Sequence, residues 1–192
     1  MTEDEAVETF YSEERWQNWL TRVDEEELDP ENEDSARLLL NLQDDAAIAI
    51  AKVLAALDDG LIDDDRAVEE IHAIREVVLA EVDFDDEDKV MLIDGVQTSL
   101  VPVFYAAEEF VVGGVVEGDV EEFVRAAADA EAGEDFDAAL GYVVQAGTRI
   151  IDGEPLDIEL VDELEYGLVS EWVNGLDSLQ SALEDPEVVE ED

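Results

Sequence analysis

The chain has 192 residues, of which 57 are acidic, 9 basic and none cysteine, for a formal charge of -48. No stretch clusters Lys and Arg, which excludes a nucleic-acid backbone or an anionic membrane surface as partner, and without thiols there is no disulfide, thiolate nucleophile or Cys-ligated metal. With 47% hydrophobic residues the chain is rich enough to fold despite its charge, so the composition implies adaptation to molar potassium salt, where the Debye length falls to roughly 3 Å and self-repulsion is screened.

In chain order, residues 1–9 read as an acidic, frayed N-terminus. Ser12 is placed to cap a helix with Glu13 and Glu14 in its first turn, and Trp16, Trp19, Leu20 and Val23 make one face of it. An acidic loop with Pro30 follows. Leu39, Leu42, Ala46, Ile50, Val53, Leu54 and Leu57 then recur at helical spacing, and Gly60 stops that helix. The next helix carries Val68, Ile71, Ile74, Val78, Leu79 and Val82, so the two are expected to form an antiparallel hairpin.

Residues 90–112 form the most apolar stretch. From Val96 to Val116 the only charges are Glu108 and Glu109. A helix that is apolar nearly all round belongs at the centre of a bundle. Length alone would permit a membrane span, but the paired glutamates and the lack of a basic flank argue against one. Pro102 is expected to kink or split this helix, and Gly113-Gly114 to end it.

Beyond it, Asp119 and Glu122 stand at capping-box spacing before Val120, Phe123, Val124 and Ala127. After Gly133, a second stripe runs through Phe136, Leu140, Val143, Val144, Gly147, Ile150 and Ile151. A last helix is expected over 157–183, with Val161, Leu164, Leu168, Trp172, Leu176, Leu179 and Leu183 inward. Residues 185–192, with Pro186, read as a disordered acidic tail. No alternating strand with a hairpin turn is present, so the fold class is all-α: one domain over 10–184, a bundle of about seven helices built as hairpins around the central one.

Chemistry is sparse. His72 is the only histidine, and Glu69-x-x-His72 would need a second such pair to hold a di-iron centre; a packed or ion-paired histidine is the plainer reading. Structural zinc lacks ligands. Glu159 and Asp162 have the spacing that magnesium-dependent helical nucleotide pyrophosphohydrolases of the MazG-like kind use on facing helices. With so many acids, however, chance alone supplies roughly 17 pairs at that spacing, and Arg66, Arg75, Arg125 and Arg149 are too scattered to face phosphates. Asp83, Asp85 and Glu87 start like a calcium loop, but Asp88 stands where the turn glycine belongs and Asp94 where the bidentate glutamate belongs. No serine sits in a Gly-x-Ser-x-Gly turn.

Two partial likenesses carry further. Residues 136–146 resemble the start of the second helix of a tetratricopeptide repeat, with Ala139 and Ala146 as small contacts, but no second copy follows at the repeat's spacing. The opening Phe10-Tyr11-Ser12-Glu13-Glu14-Arg15-Trp16-Gln17-Asn18-Trp19, followed by the helix from Ala36 to Leu57 and Asp58-Asp59-Gly60, resembles domain-of-unknown-function family 2150 of archaea. That resemblance implies a mostly helical archaeal protein of the cytosol, and the acidity suits a member from a salt-loving species. It brings no activity, cofactor or site.

The expected function is therefore a non-catalytic protein–protein interaction or adaptor module in the cytoplasm. No signal-peptide pattern is present, and neither a cofactor nor a metal site is expected. The alternatives are the magnesium-dependent hydrolase and an acidic mimic of nucleic acid, the second opposed by acids spread over every helix. The expected partner is another protein or a second copy, met through Phe10, Tyr11, Trp16, Trp19, Leu168, Trp172 and Leu176; the equal alternative is that these side chains pack on one another and seal the core. All three tryptophans of the chain fall in that set, and such side chains favour buried interfaces.

Overall fold

A computed structural model describes residues 10–27, 29 and 31–184. The expected frayed N-terminus (1–9), Pro30 and the acidic tail (185–192) lie outside the described residues. Among those described, every regular element is a helix: α1 (Glu13–Glu25), α2 (Glu33–Asp58), α3 (Asp64–Val78), α4 (Glu87–Gly113), α5 (Val120–Ala132), α6 (Phe136–Ile151), α7 (Ile158–Glu163) and α8 (Leu168–Glu184).

The acid load is put to work at the helix N-termini. Ser12, Asn32, Asp63, Asp86, Asp119, Asp135 and Asp157 each accept a backbone N–H of the first turn of α1 to α7. Such a side chain satisfies a donor that has no partner within the helix, and the charge of the five aspartates also complements the positive end of the helix dipole. At α5 the capping box closes in both directions: Glu122 N–H donates to Asp119 Oδ1 at 2.8 Å, and Asp119 N–H to Glu122 Oε2 at 3.3 Å.

The apolar stripe at 90–112 does form the centre. α4 packs against α2, α3, α6 and α8, and Ile93, Leu100, Val103 and Phe104 are fully buried. α2 with α3, and α5 with α6, pack as consecutive pairs. By length and composition α4 could cross a membrane, yet half of its most apolar window is buried against these neighbours. Pro102 does not split the helix, which runs on to Gly113 with Gly114 as its cap. A proline in a helix interior costs about 3 kcal/mol. Burying a Leu, Val or Phe side chain returns about 1.5–3 kcal/mol each, so the packing around Pro102 outweighs the lost hydrogen bond.

The last helix departs from expectation. Instead of running unbroken over 157–183, the chain forms short α7, leaves helical geometry at Leu164 and resumes at Leu168. Gly167 and Ser170 make the break. Gly167 N–H donates to Ser170 Oγ at 2.9 Å, and that hydroxyl donates back to Gly167 O at 2.7 Å. Glu131 of α5 accepts Val169 N–H at 3.1 Å and so caps the new helix from outside. The described residues thus hold eight helices.

Candidate functional site

Two buried polar nodes fix how the helices meet. Asp45 of α2, only 2% exposed, accepts Arg15 Nε at 2.8 Å and Trp19 Nε1 at 2.8 Å, and forms an ion pair with Arg15 Nη2. This ties α1 to α2. Tyr11 faces the same carboxylate, and burial first, then Asp45, pushes its phenol far above the ordinary value, with Arg15 opposing. The second node joins α2, α4 and α8: Ser99 Oγ donates to Gln43 Oε1 at 2.7 Å, and Gln43 Nε2 to Ser178 Oγ at 2.9 Å.

The side chains expected to meet a partner lie mostly inside. Tyr11, Trp16, Trp19, Trp172 and Leu176 are buried in the chain's own core cluster, while Phe10 and Leu168 are half-buried against it. That placement fits the alternative in which these side chains pack on one another and seal the core. The tryptophans belong to the core because the apolar faces of α1 and α8 find cover within the fold. Phe136, counted in the inward stripe of α6, is instead 45% exposed, and the buried face of α6 runs through Ala139, Val143, Ala146 and Ile150.

His72 of α3 stands at the α3–α4 contact, with Nε2 3.1 Å from Glu108 Oε1 but outside hydrogen-bond geometry. Arg75 lies 3.4 Å from the other Glu108 oxygen and stacks over the Tyr105 ring at 5.5 Å. The packed, ion-paired reading of this histidine fits that placement. Glu159 and Asp162 are exposed on α7. Among the described residues no three or more His, Cys, Asp or Glu converge so as to hold a metal ion. The facing pairs that magnesium-dependent nucleotide hydrolysis requires are therefore not assembled there.

What the fold does build is a cleft of about 500 Å³ between α5, α7 and the turn leading into α8. Its floor is Leu160 and Val169, both buried, with Leu164 half-buried and Ala128 and Ala132 of α5 small enough to leave room. Its rim carries Asp129, Glu131, Glu163 and Glu165 against Arg125 alone. Arg125 is engaged: its Nε donates to Glu121 at 2.9 Å and its Nη2 to Glu163 at 3.2 Å, which joins α5 to α7. Glu131 is held by the start of α8. A Cβ on Gly167 would lie 2.7 Å from that carboxylate, so a larger residue there would make the Glu131 side chain shift. On the outer side stands Tyr166, 91% exposed, its hydroxyl 3.3 Å from Glu171 Oε1.

Sequence reasoning missed this cleft because it carried the apolar stripe of Val161, Leu164 and Leu168 straight through the break. Gly167 followed three residues later by Ser170 was the available signal.

No curated protein and no solved structure matches the chain. One family does, over residues 9–192, nearly the whole length. The helical architecture and the aromatic opening through Trp16 and Trp19 that suggested it are both part of that match, and the chain belongs to the family described as an uncharacterised protein conserved in archaea (DUF2150).

Proposed function

We propose that this protein is a non-catalytic interaction module of the archaeal cytoplasm, adapted to molar potassium, that holds a partner protein in the cleft between α5, α7 and α8. The observation that carries this reading is the cleft itself: an apolar floor beneath a rim of carboxylates, with a fully solvated aromatic ring at its edge. An apolar concavity with an exposed aromatic ring at its edge marks a place where a partner gains by excluding water. In molar salt, attraction between exposed charges is screened, so recognition rests on burial at about 25 cal/mol per Å². The adaptation to salt is supported by the charge of -48.

The test is affinity capture in molar potassium chloride from a salt-grown archaeal host, with the wild type and with Ala132→Trp. Ala132 is exposed at the end of α5, so the larger side chain fills the cleft without entering the core. The wild type should retain a partner that the variant loses at an unchanged melting temperature. Equal capture by both would contradict the reading, as would magnesium-dependent pyrophosphate release from nucleoside triphosphates by the purified protein.

A further inference from the structure

Building on the interaction reading, we infer that the cleft takes an arginine side chain presented by the partner protein. Its lining asks for a ligand that is apolar along its length, flat and cationic at its tip. The floor of Leu160, Leu164 and Val169 suits a methylene stem. The Tyr166 ring, with its 91% exposure, offers a face on which a guanidinium stacks. Asp129 and Glu165 stand on the rim with no ion-pair partner among the described residues, so both are available to the forked N–H groups of that guanidinium. An anion is repelled by this rim, and a purely apolar segment would desolvate the carboxylates with nothing to pair them.

The chain already uses this chemistry within its own fold. Arg22 lies over the Trp19 ring at 4.8 Å, and Arg75 over Tyr105 at 5.5 Å. Tyr166, the most exposed of the large apolar and aromatic side chains, has no arginine of its own. Arginine suits the site better than lysine because its planar group is more weakly hydrated and stacks on aromatic faces. In molar salt that difference decides, since the ion-pair part is screened while the contact part is not. The occupant is another protein rather than a second copy, because most arginines of this chain are already engaged within its own fold: Arg22 over Trp19, and Arg15, Arg66, Arg75, Arg125 and Arg149 on carboxylates.

The experiment is an NMR titration of the isotope-labelled full chain in molar potassium chloride. The probes are blocked Gly-Arg-Gly, its lysine and citrulline counterparts, and free arginine. The arginine peptide should shift the amides of Tyr166, Gly167 and Val169 in a saturable way. The lysine peptide should bind more weakly, and the neutral citrulline peptide weakest. Tyr166→Ala should weaken the arginine peptide about fivefold, Tyr166→Phe should preserve binding, and Glu165→Gln should cost less than the loss of the ring. Because Tyr166 is so exposed, none of these variants threatens the fold.

Equal binding of the citrulline peptide, or an unaffected Tyr166→Ala, would overturn the assignment. So would tighter binding of free arginine than of the peptide, which marks a small-molecule site. If Ala132→Trp loses a captured partner while the arginine peptide fails to bind, the arginine assignment falls and the interaction module stands. If no partner is captured and no peptide binds, both fall.

Discussion

Asp45 is a carboxylate placed where apolar packing would serve for cohesion alone. It holds the Trp19 indole N–H and the Arg15 guanidinium together, and so dictates where α1 lies on α2. A buried pair adds little over a well-packed apolar replacement, but removing one partner strands the other. Asp45→Ala should therefore cost about 3 kcal/mol, seen as a lower melting temperature and loss of the buried tryptophan fluorescence of α1. Its neighbour Asp44 acts in the opposite sense. Burial pushes the Asp44 carboxyl up, with a Ser178 hydrogen bond opposing and Asp177 adding, while burial and then Glu184 push Asp177 up. A folded-state pKa above the unfolded value means that the native state holds the proton more firmly. The contribution of these two groups is fully present below the unfolded pKa and is lost as pH rises through the folded values. At neutral pH, Asp44→Asn or Asp177→Asn should raise the melting temperature, and the gain should shrink as pH falls towards 4, near the ordinary aspartate value. A gain that stays constant with pH would contradict this assignment.

Gly175 sets the distance between α8 and α4, the most intimate crossing of the central helix. A Cβ there would fall on the Ser99 carbonyl oxygen, a backbone atom that cannot swing aside. Gly175→Ala must push the two helices apart, at a cost of about 3 kcal/mol, and should break the Gln43–Ser99–Ser178 node along with it. Urea denaturation of the variant measures that loss; a change below about 1 kcal/mol would show that the crossing has slack. Such an approach is invisible in sequence, where Gly175 sits inside a good helical stripe. The same scale shows what was legible and what was not. Caps and stripes gave α1 to α6, including the capping box of Asp119 and Glu122, because those signals are local. Pro102 does not split α4, since the packing that keeps the helix whole comes from helices distant in sequence. The break at Gly167 depends on Glu131 of α5, which no local pattern contains. For the same reason the cleft went unseen: periodicity tells which face is apolar, not what covers it.

Over the whole molecule, an apolar core is enclosed by a surface bearing a formal charge of -48. Of the cations, Arg15, Arg66, Arg75, Arg125 and Arg149 are spent on carboxylates within the fold, which leaves few to offset the remainder. In dilute buffer this self-repulsion opposes the compact state, and the stability it must overcome is only about 5–15 kcal/mol for a domain of ordinary size. At about 1 M salt the Debye length of roughly 3 Å confines each charge to its nearest neighbours, and the core prevails. A fold that closes only under these conditions is the outcome this composition predicts. Circular dichroism at 222 nm across potassium chloride, from dilute buffer to molar concentration, tests this most directly. Helicity should rise cooperatively with salt and reach a plateau with a sharp melt; full helicity and a cooperative melt already in dilute buffer would contradict it.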